Sequence, residues 1–173
     1  MLTDADRRYV REQFVPLEEL CAEAGRDIAE VRRRIAGREL PAAPYPGLEY
    51  LPAGYFELPD AEEFRRTFNG PELEAELSSY LDGTYFVCLR DATVDNIVRK
   101  EALVTQVRAL LAAPRPAAAG WRAELRAAVD ELDVLERPFS PDYDRRRFGK
   151  PPTRDELIDG ARRRYPQVWG VAA

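Results

Sequence analysis

The sequence contains no histidine among its 173 residues. This absence excludes Ser-His and Cys-His nucleophile activation, histidine general bases, and most zinc or non-haem iron sites. Any catalysis must therefore use carboxylates, lysine, tyrosine, cysteine or arginine, or a cofactor brought from outside. No spacing of Asp and Glu is diagnostic of a divalent cation. We predict no metal site, and the identity of any cofactor stays open.

Cysteine and lysine are also scarce. Cys21 and Cys88 are the only cysteines, and their apolar surroundings favour free, buried thiols in a reducing cytoplasm. Lys100 and Lys150 are the only lysines. No run approaches the roughly 18 apolar residues that a membrane helix needs. The N-terminus lacks the apolar segment of a signal peptide, so we expect a cytoplasmic protein with no membrane partner.

Helix signals are abundant. A residue that can cap a helix N-terminus precedes several amphipathic stretches, at Thr3, Asp27, Asp60, Thr93 and Thr153. Asp6 would complete a capping box with Thr3, and Glu156 would complete one with Thr153. The sequence predicts a mainly α fold in which a winged-helix-like helix-turn-helix unit packs against a C-terminal helical bundle. We place the first unit at residues 1–59 and the helical domain at 60–173.

The N-terminal stretch VPLEELCAEAGRDIAEVRRRIAGRELPAAPYPGLEYLPAGYF contains two short helices, a Gly turn and an aromatic-rich hairpin or wing. This order resembles the winged helix-turn-helix of MerR- and excisionase-like proteins. The resemblance implies that residues 45–50 form the wing and that four arginines of the second helix face DNA: Arg32, Arg33, Arg34 and Arg38.

The charge of this unit opposes DNA binding. Residues 1–60 carry eight arginines against twelve acidic side chains, and the segment YPGLEYLPAGYF has no basic residue. A DNA-binding face needs a basic footprint that displaces counterions from the phosphates. The alternative is a helix-turn-helix that serves only as a packing module.

Two later helices each direct one charge toward the interior. At 100° per residue, Lys100 falls inside the apolar stripe that contains Val107 and Leu111. Glu136 falls inside the stripe that contains Leu125 and Val129. Because a lone buried charge costs several kcal/mol, we expect mutual pairing, pairing with nearby arginines, or a polar pocket. In the alternative interpretation, Lys100 reaches solvent near its helix start and Glu136 lies at a frayed helix end.

If the pocket exists, Lys100 is the candidate nucleophile or base, because burial lowers the pKa of a lysine. Glu136 and Asp133 are the candidates for a general acid or base, or for the partners of a cation. The segment ERPFSPDYDRRRFGKPP, residues 136–152, begins three residues after Asp133 and combines prolines, aromatics and basic residues. We expect residues 137–152 to form an ordered loop that either closes a ligand site or locks the domain together. Its candidate ligand-binding residues are Tyr143, Arg146, Arg147 and Phe148.

Three stretches also resemble a family of small actinobacterial proteins of unknown function that carry the label "natural product biosynthesis protein". They are YLDGTYFVCLRDATVDNIVRKEALV, AVDELDVLERPFSPDYDRRRFGKPPTRDELI and ARRRYP. The family's helix-turn-helix-like segment matches the N-terminal unit as well. The resemblance implies an association with secondary-metabolite gene clusters and assigns no catalytic residue.

Three hypotheses for the function remain. The first is an accessory or tailoring protein of secondary metabolism that binds a small molecule between the helical core and residues 137–152. The second is a MerR-like transcriptional regulator of a biosynthetic cluster, whose C-terminal helices sense ligand or dimerise. The third is a structural partner of a biosynthetic enzyme. Whether the protein is itself an enzyme, and whether it forms a homodimer, stay open.

Overall fold

The computed structural model describes residues 1–149 and 151–170 of the chain, so Lys150 lies outside the described residues. Within those ranges the fold is mainly helical, which confirms the predicted fold class. The α-helices in chain order are α1 (Asp4–Gln13), α2 (Leu17–Glu23), α3 (Ile28–Ala36), α4 (Ala61–Thr67), α5 (Leu73–Leu81), α6 (Thr84–Cys88), α7 (Val94–Ala112), α8 (Ala119–Leu135), α9 (Tyr143–Phe148) and α10 (Gly160–Arg164).

The remaining elements are short. Two single 3-10 turns span Tyr55–Glu57 and Pro166–Trp169, and a π-helical turn, Arg154–Asp159, leads directly into α10. The strands β1 (Val15–Pro16) and β2 (Tyr50–Leu51) pair in antiparallel fashion.

The predicted N-terminal caps of α1, α3, α4 and α7 are present. In α1 the Thr3 hydroxyl accepts from the backbone N–H of Asp6, whose carboxylate accepts from the backbone N–H of Thr3. Asp27, Asp60 and Thr93 each accept from backbone N–H groups of the helix that follows. These side chains satisfy N–H groups that have no partner inside a helix, which fixes where each helix begins.

The capping box that the sequence predicts at Thr153 and Glu156 is wrong. Thr153 has helical backbone angles, with φ −52° and ψ −38°, and its side chain makes no capping hydrogen bond. The chain instead enters the π-helical turn at Arg154, whose guanidinium contacts the Asp133 carboxylate of α8. A tertiary contact therefore holds this helix start, in the place of a local cap.

The helix-turn-helix prediction corresponds to α2 and α3, joined by a turn in which Gly25 has a φ of +62°. The apolar side chains Leu17, Leu20 and Val31 of this pair are buried. The strand β2 pairs with β1, which precedes α2, in the register Val15 with Leu51 and Pro16 with Tyr50. The segment predicted to form a wing therefore pairs with the two residues that immediately precede α2.

The buried side chains form two clusters. The first extends from Leu2 to Ile97 and so contains residues on both sides of position 60. The second extends from Leu103 to Val168 and is formed by the C-terminal part of α7, α8, the π-helical turn, α10 and the last 3-10 turn. Leu135, at the end of α8, contacts both clusters. The candidate site lies beside this junction.

Candidate functional site

Lys100 of α7 and Glu136, just after α8, meet in the interior. The Nζ atom of Lys100 lies 3.2 Å from Oε1 of Glu136, and the two side chains are 13% and 2% exposed. Oε1 of Glu136 is buried, and no group of the described residues other than Lys100 lies in position to donate a hydrogen bond to it. The structure therefore brings the two inward-directed charges together as a close, incompletely satisfied ion pair.

A short extended contact positions Glu136. Leu89 and Glu136 form an isolated antiparallel bridge, in which the N–H of Arg90 donates to the carbonyl of Leu135 at 3.0 Å. On the other side, the N–H of Arg137 donates to the carbonyl of Cys88 at 2.9 Å. This bridge joins the end of α6 to the end of α8 and fixes the ion pair between them.

The charge states of the pair differ from the expectation for Lys100. Burial lowers the pKa of Lys100, but the neighbouring Cys88 and Glu136 raise it by more, so the pKa lies above its ordinary value. This corrects the predicted lowering, and Lys100 is an ammonium group at neutral pH. For Glu136, burial raises the pKa more than the neighbouring Lys100 lowers it. The geometry thus favours charge stabilisation by Lys100 over attack by a free amine.

A cavity of about 140 Å³ lies next to the ion pair. Lys100 and residues from α6, from residues 137–152 and from the start of the π-helical turn line it, among them Cys88, Phe139, Phe148, Pro152 and Thr153. The rings of Phe139 and Phe148 are 5.6 Å apart. The side chains of Phe139, Phe148, Pro151 and Pro152 therefore form one wall of a small, mostly apolar cavity that contains an ammonium group.

Residues 137–149 are ordered and contain the short helix α9, which the proline-rich sequence does not predict. The Asp6 carboxylate of α1 accepts from the N–H groups of Asp142 and Tyr143, each at 3.0 Å. Asp6 thus satisfies the N-terminus of α9 from a distant part of the chain. Burial raises the pKa of Asp6, but these bonds and the bond from Thr3 outweigh burial and hold it well below its usual range.

Buried polar side chains of residues 137–149 also contact the N-terminal unit. The Asp144 carboxylate, which is fully buried, accepts from the Tyr45 hydroxyl at 2.8 Å and from the N–H of Ser140 at 2.9 Å. Arg137 is 6% exposed and stacks on the ring of Phe14, with Cζ 4.1 Å from the ring centroid. These contacts attach the segment to the N-terminal unit, so that unit holds the cavity wall in place.

The four predicted ligand-binding residues have different roles in the structure. Phe148 lines the cavity, and the guanidinium of Arg147 lies 5.2 Å from its ring centroid. Arg147 also donates to the carbonyl of Pro44, and Arg146 donates to the carbonyl of Met1, each at 3.0 Å. Tyr143 packs against the buried ring of Tyr45. Three of the four thus contact the N-terminal unit.

Asp133 does not line the cavity and lies in a separate charge cluster. Its carboxylate contacts Arg154 and accepts from Nη1 of Arg162 at 2.8 Å. Burial alone would raise the pKa of Asp133, but these two arginines outweigh burial and keep the pKa below its usual value. Asp133 therefore joins α8 to the π-helical turn and α10.

The four arginines assigned to DNA in the winged-helix interpretation are paired within the chain. Each contacts at least one carboxylate: Arg32 contacts Glu49, Arg33 contacts Glu30 and Glu39, Arg34 contacts Glu39 and Asp60, and Arg38 contacts Asp82. A DNA phosphate would have to displace these carboxylates from the arginines. The local charge therefore does not favour DNA binding.

Sequence reasoning missed several residues that build the site. It treated Cys88 only as a buried thiol, and it gave Asp6 only a local capping role. Arg137 could have been found from its position directly after an inward-directed Glu136. The link between Tyr45 and Asp144 joins residues 99 positions apart and leaves no local signal.

The fold and site define a class: a helical protein with a buried Lys–Glu pair beside a small cavity, closed by a segment that the N-terminal helices hold. The chain belongs to DUF6058, a family of unknown function whose sequence profile matches residues 48–166. The match includes the cavity residues and begins after α2 and α3. No curated protein and no solved structure matches the chain.

Two further findings apply to the described ranges. Among residues 1–149 and 151–170, no helix is both long and apolar enough to cross a membrane. In the same part of the chain, no three Cys, Asp or Glu side chains are grouped so that they could hold a metal ion.

Proposed function

We propose that this protein binds a small organic molecule between the helical core and residues 137–152, as an accessory or tailoring protein of bacterial secondary-metabolite biosynthesis. The observation that carries the binding role is the Lys100 ammonium group, paired with buried Glu136 beside a cavity that the segment closes. The biosynthetic context rests on the likeness of this sequence to actinobacterial proteins labelled for natural product biosynthesis.

The size and lining of the cavity restrict the ligand. A volume of about 140 Å³ is less than the roughly 300–1,000 Å³ of pockets that hold drug-sized molecules. The cavity therefore suits a small molecule, or the end of a longer one. Its apolar part would contact Phe139 and Phe148, while a carboxylate or carbonyl oxygen would face Nζ of Lys100.

Thermal unfolding in the presence of short carboxylic acids and their amides tests this proposal. A probe at about 100 times its dissociation constant stabilises a protein by about 2.7 kcal/mol, which raises the Tm by about 5–10 °C at this chain length. We expect at least one acid to raise the Tm, with a smaller rise for the amide of the same chain length.

Two variants complete the experiment. The pair Lys100→Met with Glu136→Gln removes both buried charges and should abolish the preference for the acid. Arg99→Met, on the exposed face of the same helix, should keep it. Equal Tm shifts in the wild type and the double variant, or no shift with any probe, would contradict the proposed binding site.

A MerR-like regulator is the second candidate, because α2, the Gly25 turn and α3 do form consecutive short helices. The paired arginines of α3 oppose it. Fluorescence anisotropy with DNA from the neighbouring promoter separates the two candidates: a regulator requires binding at low salt that weakens steeply as salt rises. Absence of binding at low salt would remove this candidate.

A further inference from the structure

The outer side of the hairpin formed by α7 and α8 exposes large apolar side chains. Among the described residues, three large apolar side chains are exposed: Val98 of α7, at 49%, Val134 of α8, at 72%, and Met1 at the chain terminus. Neither valine belongs to a core cluster. Apolar side chains that gather on one exposed face are typical of an interaction surface, whereas isolated ones need no explanation.

Helical spacing shows how far this face extends. At 100° per residue, one exposed stripe follows α7 on the side opposite buried Val107, and another follows α8 on the side opposite buried Leu125. We call the two stripes together the hairpin face; its residues are Val98, Ala102, Thr105, Ala109, Ala123, Ala127 and Val134. None of these positions is charged, although charged residues make up 33% of the chain.

The two stripes lie side by side with a crease between them. Arg99 of α7 pairs with Glu131 of α8, and Gln106 of α7 donates to Glu124 of α8 at 3.2 Å. Two open hollows lie along the crease, one of about 740 Å³ at the N-terminal end of α7 and one of about 330 Å³ at its C-terminal end. The ridges of a second helix pair can pack into such a surface.

The two ends of the hairpin face have opposite charge. Asp95 lines the hollow at the N-terminal end of α7, and Arg115 lines the hollow at the C-terminal end. Within the described residues, the salt bridges of the segment 94–118 involve Arg99, Lys100 and Arg108. Asp95 and Arg115 take part in none of them. A two-fold interface uses the same patch on both subunits, so a patch with one acidic and one basic end can complement itself.

We propose that two copies of this chain associate through the hairpin face, with α7 of one copy antiparallel to α7 of the other and a two-fold axis near Thr105. In this arrangement Ala102 lies opposite Ala109 of the second copy, and these small side chains allow a close approach of the helices. Val98 meets Ala113 of the second copy. The cavity beside the buried ion pair lies on the other side of α7, so the inference does not depend on the proposed small-molecule binding.

The size of the hairpin face predicts a weak, reversible dimer. The two helices have 19 and 17 residues, and at 1.5 Å per residue and about 10 Å of width each they present about 500 Å² per copy. The total of about 1,000 Å² is at the lower limit for a specific interface. We therefore expect dimers at micromolar concentration that dissociate on dilution.

Sedimentation equilibrium of the full chain over about 1–500 μM tests the association. We expect the average mass to rise with concentration from 19.7 kDa toward twice that value. Ala102→Arg puts a long charged side chain at the closest approach and should weaken the association about tenfold or more. Ala22→Arg, at an exposed position of α2, is the matched control and should associate like the wild type.

Exchange of the two end charges tests the arrangement. Asp95→Arg and Arg115→Asp each place like charges together at both ends of the interface, and each should weaken the association about fivefold. The double variant restores opposite charges and should recover most of the loss, a rescue that damage to the fold would not give. A mass of 19.7 kDa at every concentration, wild-type association of Ala102→Arg, or a double variant weaker than both single variants would overturn the inference.

Discussion

Replacing Lys100 with methionine removes one member of the buried ion pair and keeps a side chain of similar length. Glu136 is 2% exposed, so the change leaves a carboxylate in the interior without its nearby cation. Removing one partner of a buried pair typically costs about 3–5 kcal/mol, a large share of the stability of an ordinary domain. We expect a loss of this size at pH 7 in urea denaturation followed by circular dichroism.

The dependence of this loss on pH checks its cause. Burial already raises the pKa of Glu136 in the wild type, and removal of the ammonium raises it further. A carboxyl group whose folded pKa exceeds its unfolded value stabilises the fold when it is protonated, and that contribution disappears as pH rises through the folded pKa. The difference in stability between Lys100→Met and the wild type should therefore shrink as pH falls from 7 toward 5.

A double-mutant cycle with Glu136→Gln separates pairing from packing. The double variant has no buried charge at either position, so its loss should be clearly smaller than the sum of the single losses. Arg99→Met, which breaks an exposed pair with Glu131, is the matched control and should change stability little. If Lys100→Met costs no more than Arg99→Met, or if its loss does not change with pH, the buried pair does not carry the stability assigned to it here.

Three further variants test the attachment of the cavity wall and one close backbone approach. Asp6→Asn should lower the free energy of unfolding by about 1–3 kcal/mol in urea denaturation. Because the pKa of Asp6 is held low in the folded protein, its contribution to stability is full above pH 3.8 and is lost as the pH falls below that value. The variant should therefore also lose part of the acid sensitivity of the wild type. Tyr45→Phe removes the donor to buried Asp144 and should cost about 1–3 kcal/mol, and an unchanged urea midpoint would contradict the role given to this bond. Gly83→Ala should lower the Tm more than Gly47→Ala. Both glycines have a positive φ, so the backbone strain of the two substitutions is similar. A Cβ at Gly83 would lie 2.2 Å from a backbone oxygen, whereas a Cβ at Gly47 would meet nothing within 4 Å. Equal Tm values for the two glycine variants would refute the steric argument.

Local sequence patterns determined most of the helices. Cap residues such as Asp27 and Asp60 carry the signal in the first turn, and the apolar spacing of α8 correctly identified its buried face, including Leu125 and Val129. The same kind of spacing directed Lys100 inward, because the period of a helix fixes which side chains share a face. Glu136 is buried as predicted, but it lies one residue beyond α8, where an extended backbone bridge to Leu89 positions it. The pattern could not show that the two would meet, since that depends on how α7 and α8 pack.

Tertiary structure alone decided the remaining features. The helix α9 forms in a proline-rich segment because Asp6, more than 130 residues earlier, accepts from its first N–H groups. The π-helical turn replaces a predicted cap because Arg154 contacts Asp133 of α8. Cys88 shares a cavity with Lys100 because a backbone bridge joins the ends of α6 and α8. Sequence fixes the preferences that act within a few residues, whereas contacts between distant segments exist only once packing has brought them together.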